Sequence, residues 1–338
     1  MDNSTEVKGS KKSSLINKLI KIVLPLVLGI LILYFLFRDT DFVELWSILK
    51  DANYGILAFS LIFGLLGNTI RGYRWELLIK PLGYNPKVSN LNYAVYGGYA
   101  VNFALPRAGE IWRCGVVAKE EKIPFSKLFG TMILDRIFDT LTVLTLCIVA
   151  FLINMQFFME QLKHNQATFD SITNILTSPL FYIIIIGGIL VTFVIFKFFR
   201  ENFIVKKVID FIVSIWNDMK AIWKMKQKYR LLIYSIGIWT CYFLYFYITF
   251  FAFGFTADLG ITAGLIAFAL SSLSMGVPTN GGMGAWHFAV MASLTLYGVS
   301  KTNAIAFATG VFTLQSVWVI LCGLVGMALL SIKNRKNK

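Results

Sequence analysis

Residues Asn102–Arg113 read NFALPRAGEIWR, and residues Met275–His287 read MGVPTNGGMGAWH. Each stretch puts Pro and Gly where an apolar helical run would otherwise continue. Irregular backbone is tolerated at bilayer depth only when it is buried in protein or lines a polar cavity. Two interrupted segments at corresponding places are the best sequence pointer to a transporter's binding site.

Working outward, the chain reads as an integral membrane protein. Of its 338 residues 57% are hydrophobic, and the mean hydropathy is +0.68. A spanning helix needs roughly 20 apolar residues. Six runs qualify: 20–37, 54–70, 129–153, 179–199, 231–256 and 303–331. Three shorter runs, 91–105, 261–275 and 285–299, span only ~22 Å at 1.5 Å per residue, less than a bilayer core. The expected architecture is all-α: a polytopic bundle of about six full spans plus two re-entrant broken hairpins. The domain reading is a disordered tail over 1–14, one membrane domain over 15–332 and a basic tail over 333–338. Five lysines precede the run Ile22–Phe37; with no small-residue cleavage site after it, an uncleaved anchor is expected.

The net charge of +14 invites a nucleic-acid reading, but topology explains it better. If 91–105 enters and leaves from the cytoplasm, 27 of the 32 Lys and Arg fall inside, as positive-inside bias requires. If it crosses, two strongly basic segments face outward. The run is therefore expected to be re-entrant, with both termini in the cytoplasm of a cell with an inner membrane. Between Asp258 and Lys301 there is no charged residue, which suits a second hairpin dipping in from the opposite side. The two units then form an inverted repeat. The segment 200–230 alternates apolar and basic faces at helical spacing, an interfacial helix that serves either as a passive connector or as a sensor of anionic lipid.

Candidate site residues cluster at the breaks. Asp135, Arg136 and Asp139 share one helix; the aspartates are four apart, and Arg136 can pair with Asp139. Charges at this depth are costly and so are functional candidates, or else a structural ion pair. Arg107, Glu110 and Arg113 follow the first break. Arginine forks suit phosphate, although Arg107 and Arg113 can also snorkel to the interface. Asn102, Asn280, Gly281, Gly282 and His287 complete the set; a lone His on an apolar helix is more often packed than a proton carrier. Arg71, Arg74, Trp75 and Lys80 read as an interfacial anchor. The four cysteines have no paired spacing and read as packed thiols. Two histidines argue against a His-based metal site. There is no GxxxxGK[ST] sequence and no catalytic constellation, so no cofactor, no metal and no enzymatic activity are expected.

The run Asn102…Pro106-Arg107…Gly109-Glu110…Arg113, then Asp135-Arg136…Asp139, then Pro278…Gly281-Gly282…Gly284, resembles the lysylphosphatidylglycerol synthase transmembrane-region family over roughly Gly55 to Leu330. The resemblance implies a flippase-like domain that moves lipids such as aminoacylated phosphatidylglycerol between leaflets. The expected partners are membrane lipids through their phospholipid headgroups, not nucleic acid; an oligomer is compatible. Two departures bear on headgroup preference: His287 stands where the family often has Glu, and Asn280-Gly281-Gly282 where it often has Pro-Gly-Gly. The synthases add a soluble aminoacyltransferase domain. With the chain ending at Lys338, the expectation is transport without aminoacylation; an accessory role in modifying lipid-linked substrates is the alternative.

Overall fold

The computed structural model describes residues 27–38, 40–164, 227–277 and 279–336, with isolated positions between 178 and 206. The expected tail over 1–14, the start of the first run, most of 179–199, nearly all of the interfacial helix over 200–230, and Pro278 lie outside the described residues. The chain divides into two compact units, residues 1–150 with 230–338, and residues 151–229. In the second unit a short helix, Met155–His164, follows the end of a long one.

The first unit carries the architecture, and among the described residues it is helical without strands. In chain order the helices are α1 (Val27–Phe37), α2 (Phe42–Lys50), α3 (Tyr54–Ile79), α4 (Val88–Ala104), α5 (Ala108–Glu121), α6 (Phe125–Ile153), α7 (Met155–His164, in the second unit), α8 (Lys228–Tyr247), α9 (Gly254–Ala257), α10 (Gly260–Ser274), α11 (Ala285–Leu296) and α12 (Lys301–Lys336). Four segments are long and apolar enough to cross a membrane: Tyr54–Leu82, Phe125–Ile153, Lys228–Ala252 and Lys301–Lys333. They correspond to four of the six expected spans. Two boundaries differ by nine residues: α3 continues beyond the expected end at 70, through Arg71 and Arg74, and α8 stops at Tyr247, short of the expected 256.

Both breaks fall where Pro and Gly placed them. α4 stops at Ala104, and α5 resumes at Ala108 after Arg107, which adopts a left-handed φ of 59°. Such a conformation is uncommon for a residue with a Cβ. The two arms of this hairpin cross at a glycine pair: a Cβ at Gly109 would lie 1.8 Å from the Gly98 carbonyl oxygen, so no other residue fits there. In the second hairpin α10 ends at Ser274 and α11 begins at Ala285.

α12 shows how the hairpins are arranged. Near its start, Phe307 packs edge-on against Phe250 and Phe253, which follow α8, with ring centres 5.2 Å apart. Phe307, Val311, Val290 and Leu294 share one buried apolar cluster, which seats α11 against this half. Eleven residues into α12, Phe312 touches both tips, with its ring centre 6.5 Å from Phe103 of α4 and 5.4 Å from Trp286 of α11. Further along, Gly323 lies against Tyr96 and Ala100, and the Lys333 ammonium donates to Ser89 Oγ and Asn90 Oδ1 at the start of α4. The two short hairpins therefore lie end to end along one long helix. At 1.5 Å per residue α12 measures ~54 Å, and neither hairpin arm matches that length.

The tips meet directly. The Arg107 guanidinium donates to the Gly276 carbonyl at 2.7 Å, and the Asn280 amide nitrogen lies 3.5 Å from the Phe103 carbonyl. Gly281, at φ 58°, fits over the Phe103 ring, which a Cβ would approach to 2.5 Å. Because Gly98 and Gly109 set how closely the first hairpin closes, Gly109→Ala is expected to lower the thermal unfolding midpoint in detergent, by about 1–3 kcal/mol of overpacking. Gly115→Ala on the same helix, where a Cβ meets nothing within 4 Å, serves as the neutral control.

Candidate functional site

Buried within the first unit is an ion network in which four arginines from three helices surround two aspartates. Arg71 and Arg74 come from α3, Arg113 from α5, and Asp135, Arg136 and Asp139 from α6. Arg74 donates from Nη2 to Asp135 Oδ1 at 2.6 Å and to Asp139 Oδ1 at 2.7 Å, and from Nε to Asp135 Oδ1 at 2.9 Å. Arg71 pairs with Asp139 Oδ2 and reaches Asp135 Oδ2 at 3.3 Å. Arg113 and Arg136 donate to the same Asp135 oxygen at 3.2 and 3.3 Å, and Arg136 also pairs with Asp139 at 3.1 Å. Ser235 and Tyr242 of α8 accept from Arg74 and Arg71, and Tyr242 donates to Asn68 at 2.6 Å. The Arg113 guanidinium lies 4.7 Å from the centre of the Trp75 ring, and Trp75 is fixed by its indole N–H on Thr131.

The interfacial-anchor reading of Arg71, Arg74 and Trp75 is therefore overturned. Arg71 is 2% exposed, and Arg74 and Trp75 are fully buried. The physical reason is pairing: with carboxylates on the facing helix, a buried guanidinium avoids the cost of an isolated charge. Only Lys80 keeps its expected place, half-exposed and paired with Glu76 at 3.0 Å. The sequence did hold a signal. Asn68, Arg71, Arg74 and Trp75 recur at three- and four-residue spacing on one face of α3, opposite the i, i+4 aspartates of α6. Tyr242 and Tyr99 gave none, being aromatic residues in apolar runs.

A small pocket adjoins this network. It is lined by Gly98, Tyr99 and Asn102 of α4, by Gly109, Glu110 and Arg113 of α5, and by Arg136 of α6, with Val95 at its wall. Its room is about that of one water molecule. Three buried polar atoms of its lining residues have no hydrogen-bond partner in the protein: Arg113 Nε, Arg136 Nε and Glu110 Oε2. Asn102 has a structural task as well, since its Oδ1 accepts from the Gly109 N–H at 2.8 Å and so satisfies a first-turn donor of α5.

Of the expected site residues, Asn102, Glu110, Arg113 and Arg136 line the pocket, while Asp135 and Asp139 lie behind it, held by arginines. The other five lie elsewhere. Arg107 is exposed and bridges the tips; Asn280, Gly281 and Gly282 form the second tip. His287 is buried, its Nδ1 3.4 Å from the Gly284 N–H and its ring centre 4.4 Å from Phe312. None of these five lines the pocket. The pocket belongs to the first hairpin and α6, and the second hairpin meets only its outer tip. Among the described residues no group of three or more His, Cys, Asp or Glu is placed to hold a metal ion, and the four cysteines are free thiols.

Residues 22–323 match the family described as the lysylphosphatidylglycerol synthase TM region. The chain belongs to that family. Two curated relatives are informative. UPF0104 membrane protein MJ1595 of Methanocaldococcus jannaschii is 29% identical over 218 residues, covering 60% of this chain and 63% of the relative. Glycosyltransferase AglD of Haloferax volcanii is 30% identical over 129 residues, covering 38% of this chain but only 21% of that protein. The chain thus spans less than two thirds of either relative. No solved structure matches. Family membership and the apolar helices together make this a multi-pass membrane protein.

Removing a carboxylate from the network leaves buried guanidinium charge unpaired. Asp135→Asn, which takes the charge partner from Arg74, Arg71, Arg113 and Arg136, is expected to cost about 3–5 kcal/mol of stability, read as loss of monodisperse folded protein in detergent. Lys80→Gln, at the half-exposed pair, is expected to change stability by less than about 1 kcal/mol.

Proposed function

We propose that this protein is a lipid flippase-like transporter that passes a phospholipid headgroup between the leaflets of the cytoplasmic membrane, with both termini on the cytoplasmic side. One observation carries this reading: four buried or half-buried arginines face two aspartates at a break in the bundle. The network holds more positive charge than its own carboxylates neutralise, and two of its guanidinium nitrogens, Arg113 Nε and Arg136 Nε, are unpaired beside a pocket. Uncompensated charge at membrane depth is expensive, so an anion is the natural occupant. A phosphate bound through parallel N–H donors supplies one. Asp135 and Asp139 hold the arginines in place, while Tyr99 and Asn102 line the wall facing them.

With room for about one water molecule, the pocket is too small for a headgroup as it stands, and passage requires it to widen. The tip contacts through Arg107 and Asn280 are the ones to break. The hairpins, lying end to end along α12, enter from opposite faces in this reading. Headgroup passage through the junction, with the acyl tails left in the bilayer, needs no nucleotide motor. The relative named as a glycosyltransferase favours a second reading, an accessory part in modifying a lipid-linked substrate; chemically altered lipids, rather than redistributed ones, would distinguish it.

The test is reconstitution in liposomes with fluorescent phospholipids of several headgroups and measurement of their movement between leaflets. Wild type is expected to accelerate movement of at least one phospholipid. Arg136→Lys keeps the charge but loses the fork, and is expected to slow transport about tenfold, roughly 1.4 kcal/mol in barrier. Absence of movement for every headgroup would contradict the proposal.

A further inference from the structure

We propose that Glu110 is a proton carrier that alternates with the lipid phosphate, so that each anionic headgroup crosses with one proton. The inference rests on the transport reading above. Glu110 lies in the first turn of α5 and lines the same pocket as Arg113 and Arg136. Its Oε2 is buried without a hydrogen-bond partner, and among the described residues Glu110 makes no ion pair. It is thus an acidic group set in an anion site that the anion itself does not yet occupy.

The charged and titratable groups around it are Arg107, Arg113 and Cys114 on its own segment, Tyr99 on α4, and Asp135, Arg136 and Asp139 on α6. Arg71 and Arg74 of α3 reach the same two aspartates, and Tyr242 of α8 reaches Arg71. Both aspartates are engaged by arginines at hydrogen-bond distance. Glu110 is the carboxyl group of the pocket that is not so engaged.

The charge balance follows directly. With Glu110 ionised and no ligand, the four arginines exceed the three carboxylates by one positive charge. A phosphodiester brings one negative charge into a space where Glu110 already supplies one. Two like charges in a confined, poorly hydrated site repel strongly. If Glu110 takes a proton as the phosphate docks, the repulsion disappears and the buried charge stays at one positive unit. Loaded and empty carriers then differ little in the desolvation each must bear while crossing. The proton joins the Glu110 carboxylate on the loading side and leaves it on the other side, when the carboxylate again supplies the third negative charge of the empty site.

The experiment uses the full chain in phosphatidylcholine liposomes containing fluorescent phosphatidylglycerol and a pH dye in the lumen. Lipid movement and luminal pH are read in the same vesicles. About one proton is expected per lipid moved, and a gradient of one pH unit is expected to shift the leaflet ratio roughly tenfold. Glu110→Gln is expected to abolish proton movement and the response to the gradient, and Glu110→Asp to retain both. Lipid movement in wild type without any luminal pH change overturns the proton role and leaves the transport reading standing. A gradient response that survives Glu110→Gln overturns it as well. If phosphatidylglycerol does not move, the proton proposal falls; the transport reading falls with it when no other headgroup moves either. The wild-type measurement decides even where a variant does not fold.

Discussion

The buried ion network of the first unit depends on two carboxylates. Asp135 and Asp139 sit one helical turn apart on α6 and are what allow arginines from α3, α5 and α6 to be buried together. A guanidinium in a low-dielectric interior needs a partner, and an ion pair there is stable only if its remaining hydrogen-bond positions are also filled. Ser235, Tyr242 and Asn68 extend the network on the α8 side, and the Trp75 ring covers Arg113. The network therefore fixes α3, α5, α6 and α8 relative to one another. It is also unbalanced toward positive charge, and its unpaired nitrogens lie at the pocket. A purely structural ion cluster would be expected to close on itself.

The second constraint is geometric. Neither hairpin matches α12 in length, but stacked end to end they run along it from Phe307 to Lys333, with Phe312 at the junction. Proline and glycine create the breaks, and the breaks leave backbone carbonyls and N–H groups that must be satisfied locally. Asn102 caps the start of α5, Arg107 bonds the Gly276 carbonyl, and Asn280 approaches that of Phe103. The polar groups needed to finish the helices are thus the same groups that join the tips. Anything that separates the tips must give up those bonds, which ties opening of the pocket to movement of the hairpins.

Much of this was legible in the sequence because Pro106, Gly109 and the Gly281–Gly284 run interrupt otherwise apolar segments, and interruption is a strong one-dimensional signal. The hairpin limits follow from it, and the Arg136–Asp139 pair follows from i, i+3 spacing on an uninterrupted helix; Asn102, Glu110 and Arg113 stand out because they flank the first break. Arg71 and Arg74 were misread because hydropathy treats an arginine as the end of a span. The carboxylates that neutralise them lie more than sixty residues away, and only tertiary packing brings them together. The second glycine segment was assigned to the pocket on symmetry. In three dimensions the two hairpins are not equivalent: Gly281 has to make room for Phe103, so that tip closes over the first and does not line its cavity.

The central claim is that the surplus guanidinium groups hold lipid phosphate, and solid-state NMR can test that contact without any transport assay. With nitrogen-15 in the arginine side chains and the protein in phosphatidylglycerol bilayers, the phosphorus of the lipid should dephase buried guanidinium signals at hydrogen-bond range. Those signals should disappear in Arg113→Gln or Arg136→Gln protein. Dephasing confined to exposed arginines such as Arg107, unchanged in both variants, would mean that the cluster is only a structural clasp.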